Sequence, residues 1–237
     1  MNKVNKDDLE KMLDKHRLWV EGKEGGERLD LSGKDLRGLS FGSNLRGADL
    51  SNADMTGVEA PALKLKQADL NKTELDESNL KGANLSETQM NDATFIGADL
   101  RKANLDKTDA TAAALSESDL SEVKNLKCRI LAGDFIRANL DGADFRNCDL
   151  RGTIFREADA IGADFSGADL ENASFENANL TNANFENCNL KNVDICGAKM
   201  DGINFEGAII GKGWGACAGI HCMWTPPHGD DPCGQRP

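Results

Sequence analysis

The chain has 237 residues, with 40 acidic against 28 basic side chains and a net charge of −12. That balance argues against direct binding of nucleic acid, which needs a positive footprint for the phosphates. No apolar run is long enough for a membrane-spanning helix, and the charged opening from Met1 to Asp8 does not read as a secretory signal, so a cytoplasmic location is expected.

The first predicted element is an amphipathic helix from about Asp7 to Val20. Leu9, Met12, Leu13, His16, Trp19 and Val20 fall on one face, and Gly22 stops the helix. Residues 1–27 are therefore read as a helical cap, with His16 a packed cap histidine rather than a ligand.

From Leu50 to Ile210 every fifth residue is Leu, Phe, Ile or Met, except Ala60, Ala110, Asn125 and Ala160. Two residues before each stands a second, smaller set, mostly Ala, Ser, Thr or Cys. A helix repeats its apolar face every 3.6 residues and a strand every 2.0, so strict fives suit neither. Fixed self-similarity marks a solenoid, whose units bury their apolar faces only by stacking on neighbours.

The motif A(D/N)LXX, seen as Ala48-Asp49-Leu50, Ala98-Asp99-Leu100, Ala138-Asn139-Leu140 and Ala178-Asn179-Leu180, resembles the pentapeptide-repeat family over about residues 28–210. The resemblance implies an all-β solenoid, a right-handed quadrilateral parallel β-helix with one pentad per side and four per coil. At a strand spacing of about 4.8 Å, about nine coils give a rod of roughly 43 Å. The large residue points to the axis and the small one fills a corner.

If coils hold 20 residues, positions 20 apart share a column. Met55, Leu75, Phe95, Leu115, Phe135, Phe155, Phe175 and Ile195 form one, and the opposite column ends in Phe145, Phe165, Phe185 and Phe205. The two columns between them are mainly Leu, an alternation of sizes that close packing requires. Val58 and Leu63, oversized for corners, compensate for the small Ala60. One residue is missing between Phe41 and Leu45, which predicts a distorted first coil around Gly42. Asn125 is a polar fault on the axis, and a local bulge turning Leu126 inward is expected there. Glycines two places after the axial residue, such as Gly33, Gly38 and Gly47, are expected at turns needing positive φ.

Cys128, Cys148 and Cys188 occupy corner positions as substitutes for Ala. Adjacent coils put Cys128 and Cys148 within disulfide reach, with reduced thiols the expectation in a cytosolic core. Residues 211–237 form a C-terminal cap or flexible tail containing Cys217, His221, Cys222, His228 and Cys233. These residue types ligate zinc, but no CxxC pair is present and His221-Cys222 adjacency is awkward for one tetrahedron. A plain cap or loose tail leads, with zinc or a disulfide as alternatives, and no cofactor is expected.

No catalytic constellation is visible. All three histidines lie outside the repeat, and Gly211-Lys212-Gly213 lacks the phosphate-loop spacing. Carboxylates recur just before the axial residues, where solvated faces and turn hydrogen bonds explain them. The outer surface is nonetheless uneven. The side carrying Met55 to Ile195 holds Glu74, Asp76, Glu77, Glu117, Asp134, Glu157, Glu176 and Asp194 against Arg137 and Arg156, whereas the opposite side is charge-balanced. A non-catalytic scaffold for protein–protein interaction is the leading expectation, with this acidic face as its partner-binding surface and a basic or DNA-binding protein as partner. The family resemblance adds a second: some members mimic double-stranded DNA in the groove of type II topoisomerases such as DNA gyrase. This repeat lacks the projecting loops of the quinolone-protecting relatives, and its tail does not resemble their dimerising apolar module.

Overall fold

A computed structural model describes residues 1–41, 44–124 and 127–211. The body is a right-handed quadrilateral β-helix. Residue pairs 20 apart bridge in parallel along all four sides, as in Asp49 with Asp69, Asp54 with Glu74, Glu59 with Asn79 and Lys64 with Asn84. Most sides are a single bridge rather than a strand. Two-residue strands occur only at the ends of the described rod: β1 (Asn2–Lys3), β2 (Lys34–Asp35), β3 (Asn189–Leu190) and β4 (Ile209–Ile210).

The pentad makes this coil because it satisfies every backbone amide. In the pentad around Leu50, the Ala53 N–H donates to the Leu50 carbonyl at 3.0 Å and closes a turn. The Leu50 and Asn52 amides donate to Asp69 and Asn71 of the next coil, and the Asp49 amide donates back to Leu29. That leaves the amide of Ser51, which donates to Oδ1 of Asp49 at 3.1 Å. Where Asp or Asn precedes the axial residue, as here, it supplies the acceptor that the ladder lacks. The turn residue two after the axis adopts positive φ throughout, at 69° for Gly47 and also at non-glycine residues such as Lys72, Glu77 and Ala112.

Among the described residues, axial side chains from Leu45 to Leu190 are sealed from solvent, as are Leu31 and Leu36 of the first coil, while Phe41 is half-buried. Stacking continues along both Phe columns, with ring centroids 5.1 Å apart for Phe135–Phe155, 4.6 Å for Phe155–Phe175 and 4.9 Å for Phe165–Phe185. Edge-on contacts join the columns across the axis, as at 5.8 Å between Phe155 and Phe165. Two corner hydroxyls bond carbonyls of the core: Thr73 Oγ1 donates to that of Leu50 at 2.9 Å and Thr153 Oγ1 to that of Ile130 at 2.6 Å. Ala60 is buried beside Val58 and Leu63, both also buried.

The first coil is one residue short, since Asp30 bridges Asp49 and Asp35 bridges Asp54 before the spacing settles at 20. Gly42 and Ser43, where the loss was placed, lie outside the described residues, as do Asn125 and Leu126.

Capping begins with α1 (Lys6–Val20), whose N-cap Asn5 accepts from the Asp7 amide at 2.9 Å. Leu9 and His16 are buried, and Met12 and Leu13 pack on the core. The expected apolar face ends short of Trp19, which is 41% exposed: its ring stacks on His16 and lies over Gly47, where an added Cβ would come within 3.0 Å of it. β1 adds a feature absent from the sequence expectation. It pairs in parallel with β2 and covers part of the first coil's open edge.

The cysteines depart from expectation at one place. Cys128 and Cys148 form a disulfide across adjacent coils, Cα atoms 4.7 Å apart, where reduced thiols were expected. Positions 20 apart in one corner column bring the two side chains within disulfide reach. Cys196 is also disulfide-bonded. Cys188 stays a thiol, donating to the Phe165 carbonyl at 2.9 Å, and burial pushes its pKa up to about 12.

Candidate functional site: the acidic side wall

The closed core directs attention to the walls. A cavity of about 230 Å³ lined by Trp19, Val20, Arg46, Gly47 and Gln67 lies where the cap meets the rod, below the usual range of about 300–1,000 Å³ for small-molecule sites. Among the described residues no three His, Cys, Asp or Glu gather as a metal site. Cys217, His221, Cys222, His228 and Cys233 lie outside the described residues.

All eight acidic residues singled out from sequence stand on one wall. Glu74, Asp134 and Asp194 belong to a single bridge column that runs Asp54, Glu74, Thr94, Ala114, Asp134, Ile154, Ser174, Asp194. Asp76 and Glu176 follow the axial residues of their pentads by one place, and Glu77, Glu117 and Glu157 occupy the positive-φ corner.

Their engagements separate them. Asp134 Oδ1 accepts from the Ile136 amide and Asp194 Oδ1 from that of Cys196, both at 2.9 Å, as turn acceptors. Asp76 Oδ1 reaches one coil on to the Ile96 amide at 2.9 Å, since Thr94 holds the place of the usual Asp or Asn. Arg137 lies between Glu117 and Glu157, at 3.7 and 2.8 Å. Its hydrogen bond holds the Glu157 carboxyl below the usual range and raises its own pKa. Glu74 and Glu77 are exposed and have no ion pair or side-chain hydrogen bond among the described residues.

The wall is therefore not a uniform acidic ridge. Sequence counting assigned each carboxylate the same weight, whereas the middle of the wall is internally paired, Glu176 and Asp194 at one end accept hydrogen bonds, and the two acids without such a bond, Glu74 and Glu77, stand towards the other. The missed signal was the residue type. Asp directly before an axial residue serves its own turn, while Glu there cannot mimic that short-range bond.

Elsewhere, arginines one place after an axial residue clamp two carboxylates. Arg101 bonds Asp99 and approaches Asp119, Arg146 does so with Asp144 and Asp164, and Arg151 with Asp149 and Asp169. Hydrogen bonding from these arginines holds Asp99, Asp144 and Asp149 below the ordinary carboxylate range.

Comparison with known proteins agrees with this architecture. A profile described as pentapeptide repeats (8 copies) matches residues 28–59, 64–95 and 88–124, and one described as a pentapeptide repeat region matches 128–205. The chain belongs to the pentapeptide-repeat family. No curated protein matches it in sequence. Among solved structures, the full-length plasmid-mediated fluoroquinolone resistance protein QnrB1 is similar with a TM-score of 0.63 at 19% identity, covering 77% of this chain and 91% of that one. HetL, a pentapeptide repeat protein involved in heterocyst differentiation regulation in the cyanobacterium Nostoc, is similar at 27% identity and a TM-score of 0.33, covering 82% and 94%. At 19% identity the similarity to QnrB1 speaks for the fold alone. The chain is a pentapeptide-repeat scaffold.

Proposed function

We propose that this pentapeptide-repeat protein is a non-catalytic scaffold that binds a basic protein partner through the wall carrying Glu74, Asp76, Glu77, Glu117, Asp134, Glu157, Glu176 and Asp194. The observation that carries the reading is the pairing of a filled axis with a wall whose exposed Glu74 and Glu77 make no ion pair or side-chain hydrogen bond among the described residues. A rigid wall loses little conformational freedom on association, so modest surface complementarity suffices. The test compares capture from the native cell by the unaltered protein and by Glu74→Gln/Glu77→Gln. A basic partner retained by the first and lost by the second is the expected result. Equal recovery by both would remove the acidic wall from the reading.

A second reading takes the rod as a DNA mimic that regulates or protects a type II topoisomerase such as DNA gyrase. It is favoured by the fold shared with a fluoroquinolone resistance protein and opposed by the break in acidity around Arg137. Supercoiling by purified gyrase, with and without fluoroquinolone, tests it; no effect at micromolar protein retires it.

A further inference from the structure

The acidic wall has an apolar centre that its charge pattern conceals. Ile96 is 41% exposed and Ile154 is 39% exposed, both on this wall. Ile136 is half-buried between them, and Thr94, Ala114 and Ser116 are the uncharged residues beside them. The charged groups that border this strip are engaged within the wall. Arg137 lies between Glu117 and Glu157, exposed Arg156 lies 4.0 Å from Glu157, and the Asp134 carboxylate accepts from the Ile136 amide. Beyond it lie Glu74 and Glu77 towards one end and Glu176 and Asp194 towards the other. An apolar middle within a charged surround is the anatomy of a protein-binding patch rather than of a surface built only for solubility.

The backbone limits how a partner binds. Along this wall the amides and carbonyls are spent on the ladder between coils, from Met55 with Glu74 to Phe175 with Asp194. An added β-strand would find no free edge there, so recognition must run through side chains. From Glu74 to Asp194 the wall spans six bridge steps, or about 29 Å at a strand spacing of about 4.8 Å. An α-helix covers that length in about 19 residues. Ile96 and Ile136 stand two coils apart, close to the rise of two helical turns, so one apolar stripe on a helix meets both. A second copy of this chain is the poorer occupant, because its net charge of −12 repels an acidic wall.

Resting on the scaffold reading above, we infer that this wall docks an amphipathic helix of about five turns, lying along the rod with an apolar stripe on Ile96, Ile136 and Ile154 and Lys or Arg at both ends. The apolar centre sets the register and the terminal charges set the orientation and the rate of encounter.

The probe is a fluorescein-labelled synthetic 19-residue helix with leucines at helical spacing in its middle and lysines at both ends, followed by anisotropy. A second peptide of identical composition has the leucines scrambled. Expected are at least tenfold weaker binding of the scrambled peptide, and at least tenfold weaker binding of the ordered one to Ile96→Ser/Ile154→Ser. Both isoleucines are exposed, and an unchanged thermal midpoint confirms that this variant folds. Glu74→Gln/Glu77→Gln is expected to weaken binding several-fold and flatten its salt dependence. If the isoleucine variant binds as well as the unaltered protein while the glutamate variant does not, the helix-docking inference is overturned and the acidic scaffold stands. If neither variant changes binding, the acidic wall fails as well. Self-association of the unaltered protein that the isoleucine variant abolishes would instead make this wall an interface between copies, and would also overturn the proposal.

Discussion

The ring of His16 accepts a hydrogen bond at Nδ1 from the backbone amide of Leu29, 3.1 Å away and fully buried, and so joins the capping helix to the first coil. An acceptor nitrogen is an unprotonated one, so this join exists only while the imidazole is neutral. Burial first, and the Arg28 charge second, hold its pKa below the ordinary value, while the Arg46 backbone pulls partly the other way.

A pH dependence of the cap follows from that join. Because the folded pKa is depressed, the stabilisation is complete above the unfolded value of about 6.5 and is lost as pH falls through the folded pKa. Protection of residues 1–40 against hydrogen exchange, measured relative to the intrinsic rate at each pH, is expected to fall between pH 7.5 and pH 5 while that at the centre of the rod does not. His16→Gln, which keeps an acceptor and cannot titrate, should remove the difference. Identical pH profiles for the two proteins would disprove the role of His16.

The left-handed turn position makes a second prediction with opposite signs at two sites. Ala112 has φ of 57°, strained for a residue with a Cβ, whereas Gly142 has φ of 63° with open space around it. Relief of strain by Ala112→Gly is about 1–2 kcal/mol, offset by about 0.5–1 kcal/mol of chain entropy. A net gain of about 1 kcal/mol is expected for Ala112→Gly, and a loss of similar size for Gly142→Ala. Urea unfolding measures both. A shift of the same sign at the two sites would contradict the turn geometry.

Legibility in the sequence followed the physics of each part. The five-residue spacing of large residues, with small ones two places earlier, marked a solenoid, and the family resemblance supplied the square coil, after which the phenylalanine columns and the residue missing before Leu45 were readable. Positive φ was readable only at glycines such as Gly47. Lys72 and Glu77 adopt the same conformation for reasons of cooperative geometry that residue type does not announce. The pairing of β1 with β2 was not readable either, because Asn2-Lys3 is polar and gains its place from an unpaired coil edge rather than from apolar patterning. On the candidate wall, membership of the eight acids followed from counting in fives. Which of them are spent on Arg137 or on a turn amide depends on reach and direction, which a linear count does not contain.

The cross-link between Cys128 and Cys148 closes a loop of sequence separation 20, for which loss of the bond should cost about 3 kcal/mol. Cys128→Ala/Cys148→Ala isolates that contribution, since Ala fills the same corner at Ala68 and Ala168. A difference below about 1 kcal/mol would show that the bond does not contribute as the loop-closure estimate requires. Disulfides are uncommon in a reducing cytoplasm. Mass analysis of thiols trapped in intact cells therefore tests the cytoplasmic expectation with the same two residues.

Phe155, like Phe165, meets four other rings of the core. It lies 5.1 Å from Phe135 and 4.6 Å from Phe175 in its own column, and edge-on at 6.3 and 5.8 Å to Phe145 and Phe165 across the axis. Removing it leaves a void with stacked rings above and below that the ladder prevents from closing. The expected cost of Phe155→Ala is about 3–5 kcal/mol. Each coil of a solenoid is held only by its neighbours, so the loss also weakens coupling across that level. Urea unfolding should then broaden, with exchange protection of residues 160–200 falling before that of residues 60–100. Phe155→Leu provides the comparison, because Leu75 and Leu115 already occupy this column without loss of burial. A Phe155→Ala protein that unfolds in one sharp step, within about 1 kcal/mol of the unaltered chain, would mean that the rings do not bear on one another as this packing requires.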